Sequence, residues 1–216
     1  MDTGKLVAGP FECLDWPGSV RFSDDSKKLA VMSYVRKCLE VWDVQTQKLD
    51  GRVGNDVGVP FTSAPIFWTN KNKNILAPFT FTKDPAKTIY EFDALTLKTV
   101  GAPFEGHTER IISLALSSDS ALLASASEDD TIKLWAFESR QLLASFDVQY
   151  PFCIVLSPNS RQLAYVNGST IDICNIPPDI LASIRSAKDV PTHPHISIIH
   201  VLTFRCRPLD QASMIY

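Results

Sequence analysis

The stretch that decides the fold begins at Phe104-Glu105-Gly106-His107 and ends at Ile132-Lys133-Leu134-Trp135. Three strand-like stretches rich in apolar and β-branched residues lie within it, separated by turn sequences of Ser, Asp and Glu: 111–116, 122–127 and 131–135. Alternating apolar residues between tight turns are typical of antiparallel strands. We therefore predict three short strands paired in sequence order.

The same pattern returns along the chain. A Pro-Phe step occurs at 10–11, 60–61 and 103–104. The third strand of each copy ends in a related triplet, at spacings of 50, 43 and 39 residues: Val41-Trp42-Asp43, Glu91-Phe92-Asp93, Leu134-Trp135-Ala136 and Ile173-Cys174-Asn175. A Ser-containing turn after the first strand is a third marker. These markers predict tandem copies of one unit, and they disfavour a β-sandwich, whose strands need not recur in groups.

Residues 104–135 closely resemble a WD repeat, with a Gly-His pair, a turn Asp and a closing Trp. The resemblance implies an all-β protein, a β-propeller of WD-repeat blades. The copies would occupy 16–60, 63–104, 107–147 and 151–176, with an N-terminal outer strand at 5–11. Because WD-repeat rings usually have more blades, we expect an incomplete or small ring.

The tail after the last copy departs from the period. Residues 177–216 hold a predicted short helix beginning at Asp179 and an apolar strand over 196–204. We expect an irregular tail that could cap the last blade, as an open array of repeats requires.

The WD-repeat resemblance also implies roles for particular side chains. In that family a loop His, a strand Ser, a turn Asp and a strand Trp form a buried hydrogen-bond network, here His107, Ser125, Ser127, Asp129 and Trp135. The alternative is a hydrolase in which His107 takes a proton from Ser125 and Asp129 orients the His107 ring. The chain has no G-x-S-x-G elbow to expose a serine, so we favour the structural network and expect no catalytic residue.

Other ligand sites are not expected. His193, His195, His200 and Cys206 are metal-binding residue types, but their spacing matches no standard zinc finger. Gly4-Lys5 lacks the glycines of a phosphate-binding loop. We therefore expect no metal and no cofactor.

Composition narrows the class of partner. A net charge of −3 shows no basic field for nucleic acid, and no run of 18 apolar residues suggests a membrane span. The five scattered cysteines and the absence of an apolar leader favour a cytoplasmic protein.

The expected partners are other proteins, and self-association that completes a ring is a further possibility. Candidate anchors are the cations Arg36, Lys37, Arg110 and Arg140 and the aromatic residues Trp16, Tyr34, Trp68, Phe79 and Phe81.

The sequence therefore predicts a non-catalytic protein-interaction scaffold. One alternative follows from the Pro-Phe-Glu-Gly-His outer strand, which also resembles the WD-repeat arrays of large fungal signalling proteins with a NACHT nucleotide-binding module. That resemblance implies a sensor or regulatory piece of a larger protein.

Overall fold

The computed structural model describes residues 6–34, 38–54, 64–187 and 202–204. Within these ranges the chain is built almost entirely of short β-strands and has one helix. In chain order the elements are β1 Pro17–Phe22, β2 Lys28–Ser33, β3 Cys38–Asp43, β4 Leu49–Gly54, β5 Phe67–Thr69, β6 Asn74–Phe79, β7 Thr88–Asp93, β8 Ile111–Leu116, β9 Leu122–Ser127, β10 Thr131–Ala136, β11 Gln141–Asp147, β12 Pro151–Leu156, β13 Gln162–Asn167, β14 Thr170–Asn175, α1 Pro178–Ala187 and β15 Leu202–Phe204.

The chain divides into two compact units, and the first covers residues 1–111. It contains the antiparallel sheet β1-β2-β3-β4 and the antiparallel sheet β5-β6-β7. The outer position of the second sheet holds two isolated bridges, Phe92 with Thr99 and Ile89 with Phe104. One apolar core joins the two sheets, with residues such as Val41 and Phe92.

The second unit covers residues 112–216. Its first sheet has the antiparallel order β8-β9-β10-β11, and β15 pairs parallel to β11 at the outer edge. Its second sheet has the order β12-β13-β14. Both sheets and α1 share one core, to which α1 contributes Ile180 and Ile184.

In three of the four described sheets, a turn built around a serine side chain joins the first strand to the second and so sets where the two strands pair. The Ser23, Ser117 and Ser157 hydroxyls accept hydrogen bonds from the amide five residues later, at 3.0, 2.9 and 2.9 Å. Each hydroxyl also donates to a side chain two residues on, Asp25, Asp119 or Asn159. A residue of positive φ follows in each turn, as the tight reversal requires.

The described residues form four sheets of three to five strands, and every pairing in them is antiparallel except that of β15 with β11. These sheets confirm the predicted all-β class and are consistent with blades of a WD-repeat propeller. The tail contains α1, as predicted from Asp179, and β15 at the end of the predicted apolar strand. Residues 6–11, the described part of the predicted N-terminal outer strand, carry no strand assignment. β4 follows the turn after β3 directly and is the outer strand of the first sheet. Residues 55–60 of the predicted first copy lie outside the described residues.

Candidate functional site

Two members of the predicted hydrogen-bond network meet inside the third sheet. The Trp135 indole Nε1 donates to the Ser125 hydroxyl at 2.8 Å, and both residues are buried. The partners stand on paired strands, since β9 and β10 are neighbours in register. A buried indole N–H needs an acceptor, and Ser125 supplies one without a water.

Two further members of the network shape the turn between β9 and β10. The Asp129 carboxylate accepts from the Thr131 amide at 3.1 Å and from the Thr131 hydroxyl. The Asp129 amide donates to the Ser127 hydroxyl at 3.2 Å. Asp130 then takes a positive φ. Asp129 therefore holds the hairpin in which β9, which carries Ser125, pairs with β10, which carries Trp135.

The fifth member, His107, is buried in the first unit. Its place in a network with the serines stays a prediction. The hydrolase alternative gains no support from the geometry, because Ser125 is fully buried and its hydroxyl already binds the indole of Trp135. A nucleophile needs access to its substrate.

The first sheet uses a different polar group, Glu40, which sequence reasoning missed. Its carboxylate accepts from the Trp42 indole at 2.9 Å, from the Leu14 amide at 3.0 Å and from the Arg52 guanidinium at 2.7 Å. Glu40 is buried, so these donors balance its loss of hydration. Burial, together with the nearby Glu40 charge, raises the pKa of the Cys13 thiol. The one available signal was an acidic residue within an otherwise apolar strand.

The second sheet buries another carboxylate, Glu91. It accepts hydrogen bonds from the Thr69 hydroxyl and, at 3.0 Å, from the Asn74 amide. Each of the first three sheets therefore has its own internal polar group. The Gly-His pair that marks the third copy does not occur in residues 1–104, so the first two sheets hold carboxylates in place of the WD-repeat set.

The predicted cationic anchors are only partly open to solvent. Arg110 and Arg140 are half-buried, and the Arg140 guanidinium lies 5.1 Å from the centre of the Phe137 ring. Such stacking holds the cation against its own sheet. Arg36 and Lys37 lie outside the described residues. The binding role of all four stays a prediction.

The predicted aromatic anchors separate into two groups. Trp68 and Phe79 are buried, and the Trp68 indole donates to the Arg21 carbonyl at 2.9 Å. Trp16 and Phe81 are instead 77% and 50% exposed, and Tyr34 is also exposed. The second group therefore has side-chain area available to a partner.

These three exposed residues occupy the same end of their sheets, where the first strand begins and the second strand ends. Trp16 precedes β1 and Tyr34 follows β2, and the Tyr34 amide donates to the Trp16 carbonyl at 2.7 Å. Phe81 follows β6 in the second sheet of the same unit. We call Trp16, Tyr34 and Phe81 the aromatic surface.

Neighbouring rings hold Phe81 in place. It packs edge-on against Phe79 at 5.0 Å and against Tyr90 at 5.2 Å between ring centres. Burial, with a smaller effect of Glu105, raises the pKa of Tyr90. The loop that carries Phe81 is tied by hydrogen bonds among Thr80, Thr82 and Asp84. Phe81 is thus presented from an ordered loop on a packed base.

The described residues contain no group of three or more His, Cys, Asp and Glu side chains arranged to hold a metal ion. His193, His195, His200 and Cys206 lie outside the described residues. In the part of the chain that the structure covers, no helix has the length and apolar character needed to cross a membrane.

Comparison with known proteins matches this chain to WD-repeat proteins. The family model described as WD domain, G-beta repeat, matches residues 97–136, which include the Gly-His pair and Trp135. WD repeat-containing protein 18 of Bos taurus is 36% identical over 63 residues, 28% of this chain and 15% of that protein.

The names of two further relatives refer to protein complexes. Cell division cycle 20.5, cofactor of APC complex, of Arabidopsis thaliana is 26% identical over 97 residues, 45% of this chain and 20% of that protein. Target of rapamycin complex subunit wat1 of Schizosaccharomyces pombe is 33% identical over 61 residues, 28% of this chain and 19% of that protein. The matched stretch spans a fifth or less of each relative. Residues 97–136 are therefore similar to one WD repeat, and the matches to curated proteins support a likeness to the WD40 repeat family.

Proposed function

We propose that this chain is a non-catalytic protein-interaction scaffold that binds a partner protein through the aromatic surface. The observation that carries the proposal is the exposure of Trp16 and Phe81 at equivalent ends of two sheets. Exposed tryptophan and other aromatic side chains are the residue types that most often dominate binding energy at protein interfaces. They supply a large contact area at a low cost in conformational entropy.

The supports beneath these side chains favour binding further. Phe81 stands on Phe79 and Tyr90, and the backbone of Trp16 is tied to that of Tyr34. Because neighbouring rings already order the Phe81 side chain, that side chain loses little freedom when a partner binds. The surface therefore suits a partner with an apolar patch flanked by polar groups.

The names of two relatives also support the scaffold proposal, more weakly than the exposed aromatic side chains do. These two relatives are named as a cofactor of the APC complex and a subunit of a target of rapamycin complex. Work within an assembly is consistent with a scaffold here. The NACHT-type alternative and the cytoplasmic location stay predictions, because no contact in the structure favours either one.

Quantitative affinity purification of the tagged full chain tests the proposal. The double variant Trp16→Ala, Phe81→Ala removes the two largest exposed rings of the aromatic surface. The matched control is Leu95→Ala, which removes an exposed apolar side chain from the turn after β7, at the opposite end of its sheet. Melting curves of both variants show whether the fold is kept.

We expect at least one protein to be recovered by the wild-type chain and by Leu95→Ala and to be lost, roughly tenfold or more, with the double variant. Equal recovery of every co-purified protein by all three chains would overturn the proposal.

A further inference from the structure

The last sheet exposes one apolar face, which we call the receiving face. The strand register places Val155, Ala164 and Ile173 in one row and Val166 beside Ile171 in the next, all on the same side of the sheet. Ile171 and Ile173 are 72% and 61% exposed, and Val155 is exposed as well. None of these five side chains carries a charge. Monomeric proteins rarely leave such a continuous apolar patch in water.

The equivalent face of the preceding sheet is covered. The turns at Ser117 and Ser157 align the two sheets, and the receiving face then corresponds to buried residues of the third sheet: Ala115, Ala124, Ala126, Ile132 and Leu134. That third-sheet face packs against Ile154, Leu163 and Tyr165 of the last sheet. The Ser113 hydroxyl of the third sheet also accepts the Ile154 amide at 3.1 Å. The receiving face therefore has the composition of a surface that accepts another blade.

Aligning the sheets by their serine turns also identifies the sheet whose exposed face matches the receiving face. Val20 and Leu29 of the first sheet correspond to Ile154 and Leu163, and Phe22 corresponds to Leu156. Val20 and Phe22 are 58% and 55% exposed, and Leu29 is half-buried. We call Val20, Phe22 and Leu29 the docking face. One chain thus carries both halves of a blade-to-blade contact with apolar side chains exposed on each.

We infer that two copies of this chain associate head to tail, with the docking face of one copy packed on the receiving face of the other. A contact between two different faces is heterologous and closes only when the rotation returns to the start. Two copies carry eight of these sheets, the upper end of the usual range for propellers, so a closed dimer is the expected assembly.

The outer edge of the last sheet, at β14, also favours a second copy of this chain as the binding partner. Among the described residues no strand pairs with the outer edge of β14, and an unpaired edge seeks a partner strand. Residues 6–11 repeat the sequence pattern of 99–104, which bridges to β7 in the second sheet. Leu6 and Val7 are exposed, and Phe11 packs at 5.7 Å on Trp42, beside the docking face. A docked second copy would bring residues 6–11 to the free edge of β14.

This inference goes beyond the proposed function, because it names a second copy as the occupant and uses residues other than the aromatic surface. Light scattering behind size exclusion measures the mass of the full chain and of three variants. Val20→Asp disables the docking face, Ile173→Asp disables the receiving face, and Leu95→Asp is the control at an exposed site outside both faces. Where a melting curve departs from wild type, Phe22→Asp or Ile171→Asp replaces that variant.

We expect the wild type and Leu95→Asp to have twice the monomer mass of 24.0 kDa, and each face variant alone to be a monomer. An equimolar mixture of Val20→Asp and Ile173→Asp should restore a dimer, since the mixture retains one intact face of each kind. A monomeric wild type would overturn the inference, as would a face variant that stays dimeric or a mixture that stays monomeric. The scaffold proposal would stand in each of those cases.

Discussion

At the level of single residues, the hydrogen bond between Trp135 and Ser125 is the best-defined polar contact inside the third sheet. Ser125→Ala leaves the indole N–H buried without an acceptor, because both residues are inaccessible to water. We expect the free energy of unfolding to fall by about 1–3 kcal/mol, measured by urea denaturation. Ser118→Ala, at an exposed turn position of the same sheet, is the control and should leave the midpoint unchanged. Equal midpoints for both variants would show that the bond contributes nothing.

A second residue-level prediction concerns Asp43 and acid. Its carboxylate accepts from Lys28 at 2.9 Å and from the amide and hydroxyl of Thr46, which hold the pKa of Asp43 well below its usual value of 3.8. A carboxyl whose pKa is lower in the folded state stabilises the fold above its unfolded pKa and loses that effect as the pH falls. Asp43→Asn keeps the acceptor for Thr46 and removes the charge that faces Lys28.

Thermal unfolding from about pH 6 down to about pH 3 measures this effect. We expect Asp43→Asn to melt below wild type at the higher pH, with the difference shrinking toward the lower pH. If the difference in melting temperature between Asp43→Asn and wild type stays constant from the higher to the lower pH, the assignment is contradicted. Asp93 makes the same pair of bonds to Thr96, and its pKa is lowered chiefly by the Thr96 hydroxyl, so Asp93→Asn should behave alike.

At the level of elements, the Glu40 carboxylate contacts its own strand β3, the neighbouring strand β4 and the segment before β1. It binds Trp42 on its own strand, Arg52 on β4 and the Leu14 amide in the segment before β1. Arg52→Met removes the cation and keeps the length of the side chain. We expect a loss of about 2–3 kcal/mol, less than for a fully buried pair because the Arg52 side chain is 33% exposed.

Urea denaturation measures the effect of Arg52→Met, and Arg161→Met, at an exposed position, is the matched control. If Arg52→Met unfolds at the same urea midpoint as wild type, water replaces the guanidinium without loss of stability. A loss in the control of equal size would mean that the effect belongs to any Arg-to-Met change.

The sequence predicted which strands exist better than it predicted where each strand begins and ends. The strands of each repeat follow from alternating apolar residues, and the turns from their Ser, Asp and Asn residues. β4 starts at Leu49 because a short Asp43–Thr46 turn lets the outer strand follow β3 directly, and the repeat markers do not reveal this start. The role of Glu40 was not predictable, since it depends on a tryptophan, an arginine and a distant backbone amide converging on one carboxylate. Half-burial of Arg140 likewise depends on the neighbouring Phe137 ring.

At the level of the whole molecule, the described sheets place their polar groups inside and leave aromatic and apolar side chains outside. Ser125, Glu40 and Glu91 all bind donors within their own units. The exposed side chains Trp16 and Phe81 instead have contact area to offer. This division between internal polar groups and external apolar area is what a scaffold needs, and we therefore propose that the exposed surfaces carry the function.

Hydrogen–deuterium exchange of the full chain, alone and with the protein recovered by affinity purification, tests that assignment most directly. We expect slower exchange on binding in the peptides that contain Trp16, Tyr34 and Phe81, with the turn around Leu95 unchanged. Protection at the Leu95 turn, with no change in the three aromatic peptides, would contradict the account.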